Sequence, residues 1–139
     1  MILLLLLTGL AGGEEEIRQV PIDAKFSADI FKIPPVGRDA AIESRLNSIV
    51  VGRGYVSGIE TIKRYKKTFR IVLIDQDYEK SNIKLTFYVY ADSKSTRAML
   101  KEKDLFEFSG QLVAYTPTNN RRDNYILDII LEKGAVLIQ

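Results

Sequence analysis

The sequence predicts a small, mainly β domain: five strands, one helix between the third and the fourth, and an N-terminal extension before them. Three observations predict it. From Ile49 onward apolar residues recur at alternate positions, the period of a strand with one face buried. Clusters of Asp, Asn, Ser, Lys and Pro interrupt that pattern where turns belong. Between the third and fourth alternating runs, Asp92-Ser93 precedes a stretch that suits a capped helix. The 139 residues are enough for one domain.

Taken in order, the chain opens on an aliphatic run, Ile2 to Leu7, followed by Thr8, Gly9, Leu10 and Ala11. A short apolar core ending in small residues predicts a signal peptide over 1–11, cut after Ala11. The positive segment that usually precedes such a core is missing apart from the amino terminus, and a short core strand is the alternative. A lipoprotein signal fails, because Leu10 stands where the lipidated cysteine must be. Cleavage implies an extracytoplasmic protein, periplasmic or secreted; retention implies a cytoplasmic one. No run of about 18 apolar residues exists, so no conventional transmembrane span is expected.

Residues 12–38 carry Glu14 to Glu16 and three prolines, Pro21, Pro34 and Pro35, with no sustained period. They read as an extended N-terminal arm. Its apolar residues Val20, Ile22, Phe26, Ile30, Phe31 and Ile33 need a surface to cover, on their own barrel or on a partner's. The barrel domain itself is expected over 39–139. A short helix within 37–48 comes first, with Asp39 near its start. The first strand, 49–62, contains Gly52, Gly54 and Gly58, which mark a bend or bulge. A long, glycine-punctuated first strand lets a small barrel turn its corner. The second strand is 68–74. The third, 83–91, sets Leu85, Phe87 and Val89 on one face and Thr86, Tyr88 and Tyr90 on the other. The helix runs to about Lys103, with Thr96, Met99 and Leu100 on its apolar side. The fourth strand, 105–115, bends at Gly110; 116–124 is a turn-rich loop. The fifth strand, 125–132, points Tyr125, Leu127, Ile129 and Leu131 inward; Gly134 breaks it, with Ala135 to Ile138 left as a stretch that can pair once more.

This element order, the glycine-interrupted first strand, the helix 93–103 and Gly110 within LFEFSGQLVAY resemble the OB-fold over roughly Ile49 to Glu132. The resemblance implies a five-stranded Greek-key barrel that binds ligands on the face of its second and third strands, flanked by two loops. Here those loops are 63–67, with Lys63, Arg64, Lys66 and Lys67, and 117–124, with Arg121 and Arg122.

Net charge is +2, but it is unevenly spread: residues 1–44 carry −3 and residues 45–139 carry +5. Tyr88 and Tyr90 of the third strand, flanked by the cationic loops, with Tyr65 in the first of them and Arg70 of the second strand also a candidate, fit single-stranded nucleic acid, whose bases stack and whose phosphates pair with Lys and Arg. The same residues also suit strands and soluble hairpin tips for propensity alone. Because an extracytoplasmic protein rarely has nucleic acid as its physiological partner, the leader tips the balance: a protein-interaction or assembly role, using the arm for a protein partner or for self-assembly, is the leading expectation, and nucleic acid or another polyanion is the alternative. Cysteine and histidine are absent, which removes thiol catalysis and the usual general base. No enzyme motif is present, so no catalytic residue, metal or cofactor is assigned. Asp75, Asp77 and Glu79 alternate as a metal loop might, but Lys80 stands where a calcium loop needs glycine, and they read as a solvated turn.

Overall fold

A computed structural model describes residues 19–62, 68–75 and 83–137. The expected signal peptide over 1–11, the first part of the arm, Asp77, Glu79 and the basic loop Lys63, Arg64, Tyr65, Lys66 and Lys67 lie outside the described residues.

Among the described residues six strands form one sheet: β1 (Gln19–Ile22), β2 (Ile49–Thr61), β3 (Phe69–Asp75), β4 (Ile83–Ala91), β5 (Leu105–Arg121) and β6 (Asn124–Leu137). Their order is β1-β2-β3-β4-β6-β5, and β5 pairs back onto β2, so five strands close into a ring. β4 and β6 run parallel; β2–β3, β3–β4, β2–β5 and β5–β6 are antiparallel. This is the Greek-key OB-like barrel that the sequence predicts, with α3 (Lys94–Met99) between β4 and β5.

The glycines of β2 act as their positions suggest. Ile49 to Tyr55 pair with β5, whereas Gly54 to Thr61 pair with β3, so the strand serves two neighbours along its length. A Cβ at Gly54 would stand 2.8 Å from the Ile74 carbonyl oxygen, closer than a side chain tolerates. The register then shifts between Val56 and Gly58, a bulge that bends the strand further.

Alternation fills the interior. Leu85, Phe87 and Val89 from β4, and Tyr125, Leu127, Ile129 and Leu131 from β6, are buried in one core cluster with Phe108 and Leu112 of β5. The Phe87 and Phe108 rings meet across the barrel at a centroid distance of 4.7 Å. Asp75, expected in a solvated turn, is instead the buried last residue of β3.

Three elements differ from expectation. The helix before β5 is shorter, Lys94–Met99, capped by Ser93, which accepts from the Thr96 amide at 3.3 Å. Met99 is exposed, and Leu100, just past the helix, takes the buried place. The loop expected at 116–124 is mostly strand: β5 continues through Pro117 to Arg121. The register shifts between Pro117 and Asn119, the irregularity that admits a proline into a ladder. Gly134 does not end β6, whose residues Ala135 to Leu137 pair with Ser109 to Glu107.

The described part of the arm is extended only at its start and then turns helical. β1 adds to β2 in parallel, beside Ile49 to Gly52. Two helices follow, α1 (Ala24–Lys32) and α2 (Pro35–Glu43). Asp23 caps α1 by accepting from the Phe26 amide at 2.9 Å. Pro35 takes the first position of α2, where a missing N–H costs nothing. Pro34 and Pro35 thus sit at the start of α2, whereas Pro21 stands within the edge strand β1, opposite Val51. Ile22, Phe26, Ile30 and Ile42 are buried in the barrel's own core cluster. Arg38, only 1% exposed, ties both helices to the barrel. It donates to the carbonyls of Phe31, Ile33 and Arg121, and to Asn120 Oδ1. Its guanidinium also lies 4.9 Å from the Phe31 ring centre and 5.1 Å from that of Tyr125.

Candidate functional site

The outward residues of β3 and β4 are set by the same alternation that fills the core. Arg70, Val72 and Ile74 point out from β3; Lys84, Thr86, Tyr88 and Tyr90 point out from β4. Register then decides who meets whom. Arg70 is paired with Tyr90 on one side and with Glu60 of β2 on the other. Tyr88 lies between Val72 and Ile130.

These pairings make one cluster. The Arg70 guanidinium carbon is 5.2 Å from the Tyr88 ring centre and 5.9 Å from that of Tyr90, within cation–π range. Arg70 Nη1 donates to the Tyr90 hydroxyl at 3.3 Å. Arg70 Nε and Nη2 both reach Glu60 Oε1, at 2.6 and 2.5 Å. Partial desolvation pulls the Arg70 pKa down, but the hydrogen bonds to Tyr90 and Glu60 outweigh it and hold the value above the usual one. Desolvation, then the Asp128 carboxylate, raises the pKa of Tyr88. The face therefore offers two half-buried rings with a fixed cation beside them.

Ile62 and Thr68, which flank 63–67, are joined by a 3.4 Å hydrogen bond at the Phe69–Ala91 end of the face. Arg121 and Arg122 are exposed at the β5–β6 turn, where Arg121 pairs with Asn124 and the next residue, Tyr125, pairs with Ile83. Ile83 and Ala91 are opposite ends of β4, roughly 26 Å apart at about 3.3 Å per residue. The tyrosine face lies between the Ile62–Thr68 pair and the β5–β6 turn.

One residue outside the sequence-based set belongs to this face, Glu60. Arg97 of α3 lies on the other side of the sheet: its Nη2 donates to Thr61 Oγ1 at 3.2 Å and its guanidinium lies 5.8 Å from the ring centre of the inward Phe69. No local motif marks Glu60; strand register brings it in. Beyond Tyr90 the same end opens into a hollow of about 350 Å³ between Thr68, Asp92, Glu132 and Lys133. Among the described residues no group of three Asp or Glu side chains is placed to hold a metal ion, and no helix is long and apolar enough to cross a membrane.

No protein-family description matches this sequence, and no curated protein matches it. Solved structures do. A protein of Klebsiella pneumoniae, provisionally described as a nucleic acid-binding lipoprotein, superposes with a TM-score of 0.53 at 16% identity, covering 86% of this chain and 92% of that one. DNA-binding domain A of yeast Replication Protein A covers 86% of this chain and 96% of its own, at 14% identity and a TM-score of 0.39. The asparaginyl-tRNA synthetase of Entamoeba histolytica covers 66% of this chain and 21% of its own, at 18% identity and a TM-score of 0.40. With the ring order, the parallel β4–β6 pair and the helix before β5, the chain is an OB-fold domain.

Proposed function

We propose that this OB-fold domain is a non-enzymatic binding module for single-stranded nucleic acid, taken up across the outward face of β3 and β4. The observation that carries the reading is the cluster of Tyr88, Tyr90 and Arg70. Two rings on adjacent outward positions offer stacking platforms about two residues apart along one strand, and a guanidinium beside them meets either a base or a phosphate. The exposed Arg121 and Arg122 of the β5–β6 turn, and the basic composition of 63–67, suit a partner that carries phosphates. The Klebsiella neighbour, similar in fold, carries a nucleic-acid description that fits the same reading.

The competing role, assembly through the N-terminal arm, rested on apolar residues in need of cover. Ile22, Phe26 and Ile30 are buried against their own barrel and Val20, Phe31 and Ile33 are packed partly against it, which favours the binding reading over that role. Export is part of the proposal. The leader pattern at 1–11 supports it, as does the lipoprotein description of the neighbour, although this sequence has no cysteine to carry a lipid. N-terminal sequencing of native protein tests it: a chain starting at Gly12 is expected, and one starting at Met1 refutes export.

The binding reading is tested by fluorescence anisotropy with a labelled oligonucleotide of about 12 nucleotides, within the range one OB-fold spans. Binding is expected at about 20 mM salt and should weaken steeply as salt rises. Tyr88→Ala and Tyr90→Ala should each cost about 1–3 kcal/mol, the worth of one stacked base. Tyr90→Phe should lose far less. Undetectable binding at low salt refutes the reading.

A further inference from the structure

Glu60 stands where a ligand's anion would stand. Its Oε1 receives both Nε and Nη2 of Arg70, at 2.6 and 2.5 Å, the edge of the guanidinium that best matches a phosphate or carboxylate. The contact is not an accident of two long side chains, because Glu60 and Arg70 are direct partners across the β2–β3 ladder. It is also easily broken. The side chains are 48% and 32% exposed, and ion pairs open to solvent hold weakly.

We propose that Glu60 is a built-in competitor for Arg70: it occupies the guanidinium in the free protein and is displaced by a backbone phosphate when a strand binds. The inference rests on the nucleic-acid reading and adds a selective element to it. A lone small anion brings one weak contact and gains little by replacing a carboxylate that the sheet already holds in place. A strand also stacks on Tyr88 and Tyr90 and releases counterions along its length, so it can displace Glu60 at little net cost. Glu60 thereby tunes the face towards polymeric ligands that carry rings. The opposite role is also well defined. If Glu60 serves to hold Arg70 in position over the rings, removing its charge weakens binding.

The two roles differ in sign for Glu60→Gln, which keeps the shape of the side chain and removes its charge. Anisotropy with the same oligonucleotide is measured for the wild type, Glu60→Gln, Arg70→Gln and the double variant, with thermal melts to show that each is folded. Competition by Glu60 predicts about two- to fivefold tighter binding by Glu60→Gln, the range of a surface ion pair. The gain should shrink as salt rises and vanish in the Arg70→Gln background. Unchanged or weaker binding by Glu60→Gln, with the wild type binding normally, overturns the competitor role and leaves the binding reading intact. An equal gain with and without Arg70 also overturns it, because bulk charge then explains the effect. No binding by the wild type at low salt overturns the reading and this inference together.

Discussion

Arg38 Nη1 donates a 2.6 Å hydrogen bond to the backbone carbonyl of Arg121, joining α2 to the β5–β6 turn across the end of the barrel. The turn that presents Arg121 and Arg122 to solvent is thus anchored from within by a buried cation. Asn120 strengthens the joint, donating Nδ2 to the Pro35 carbonyl at 2.8 Å while its Oδ1 accepts from Arg38 at 3.1 Å. Arg38→Met keeps much of the volume but strands the carbonyls of Phe31, Ile33 and Arg121. Losing several hydrogen bonds from one buried charged group is expected to cost about 3 kcal/mol or more. Urea denaturation measures it, as a lower midpoint with little change in slope.

Removal of residues 1–38 tests whether the N-terminal region belongs to the fold. Ile22, Phe26 and Ile30 leave the core with it, and so does Arg38. Each buried apolar side chain contributes about 1.5–3 kcal/mol, so their joint loss rivals the whole stability of a domain this size. The truncated chain is expected to lose its cooperative melt and to elute aggregated or expanded. A compact monomer with an unchanged melt would show that the two helices are accessory.

Gly134 is a close-approach glycine, and Gly134→Ala should show it. A Cβ there would overlap Val89 Cγ1 and stand 2.9 Å from the Tyr90 carbonyl oxygen. The preceding residue, Lys133, already has φ of 54°, so the backbone has little room to move away. Forcing a methyl group into such a site is expected to cost about 1–3 kcal/mol. Because the clash falls on the backbone of Tyr90, oligonucleotide binding should weaken as well. A thermal melt and the anisotropy titration together separate the two effects.

The barrel was legible because its strands alternate cleanly. Leu85, Phe87 and Val89, then Leu127, Ile129 and Leu131, announce an inward face without any tertiary knowledge. The errors fall where one residue type has two uses. Pro34 and Pro35 read as helix breakers, yet Pro35 opens a helix. Pro117 and the Asn and Thr around it read as a loop, yet β5 absorbs them through a register shift. Gly134 read as a strand end, yet it marks β6 passing close to β4. The candidate face was half legible. Tyr88 and Tyr90 follow from period two alone. Glu60 against Arg70 depends on the β2–β3 register, which a bulge between Val56 and Gly58 shifts by a residue, and no local pattern reveals that.

Tyr125 makes the stability of the fold pH-dependent at its alkaline end. Its side chain is fully buried, and its hydroxyl lies beside the Asp39 carboxylate. Burial, and after it the Asp39 carboxylate, pushes its pKa up to about 12 from the ordinary 10.0. The folded state therefore keeps a proton that the unfolded chain releases first. Stability from this group is fully present below pH 10 and is lost as pH rises from there through about 12. Tyr125→Phe removes the titration together with the hydroxyl's contact to Asp39 and keeps the ring. It is expected to change stability at pH 7 by no more than about 1.5 kcal/mol, the worth of one hydrogen bond. Above pH 10 the variant should outlast the wild type by a margin that widens with pH. Urea midpoints for the two proteins, compared at pH 7, 9, 10 and 11, give the answer; parallel curves across that range would mean that the hydroxyl is solvated in the folded protein.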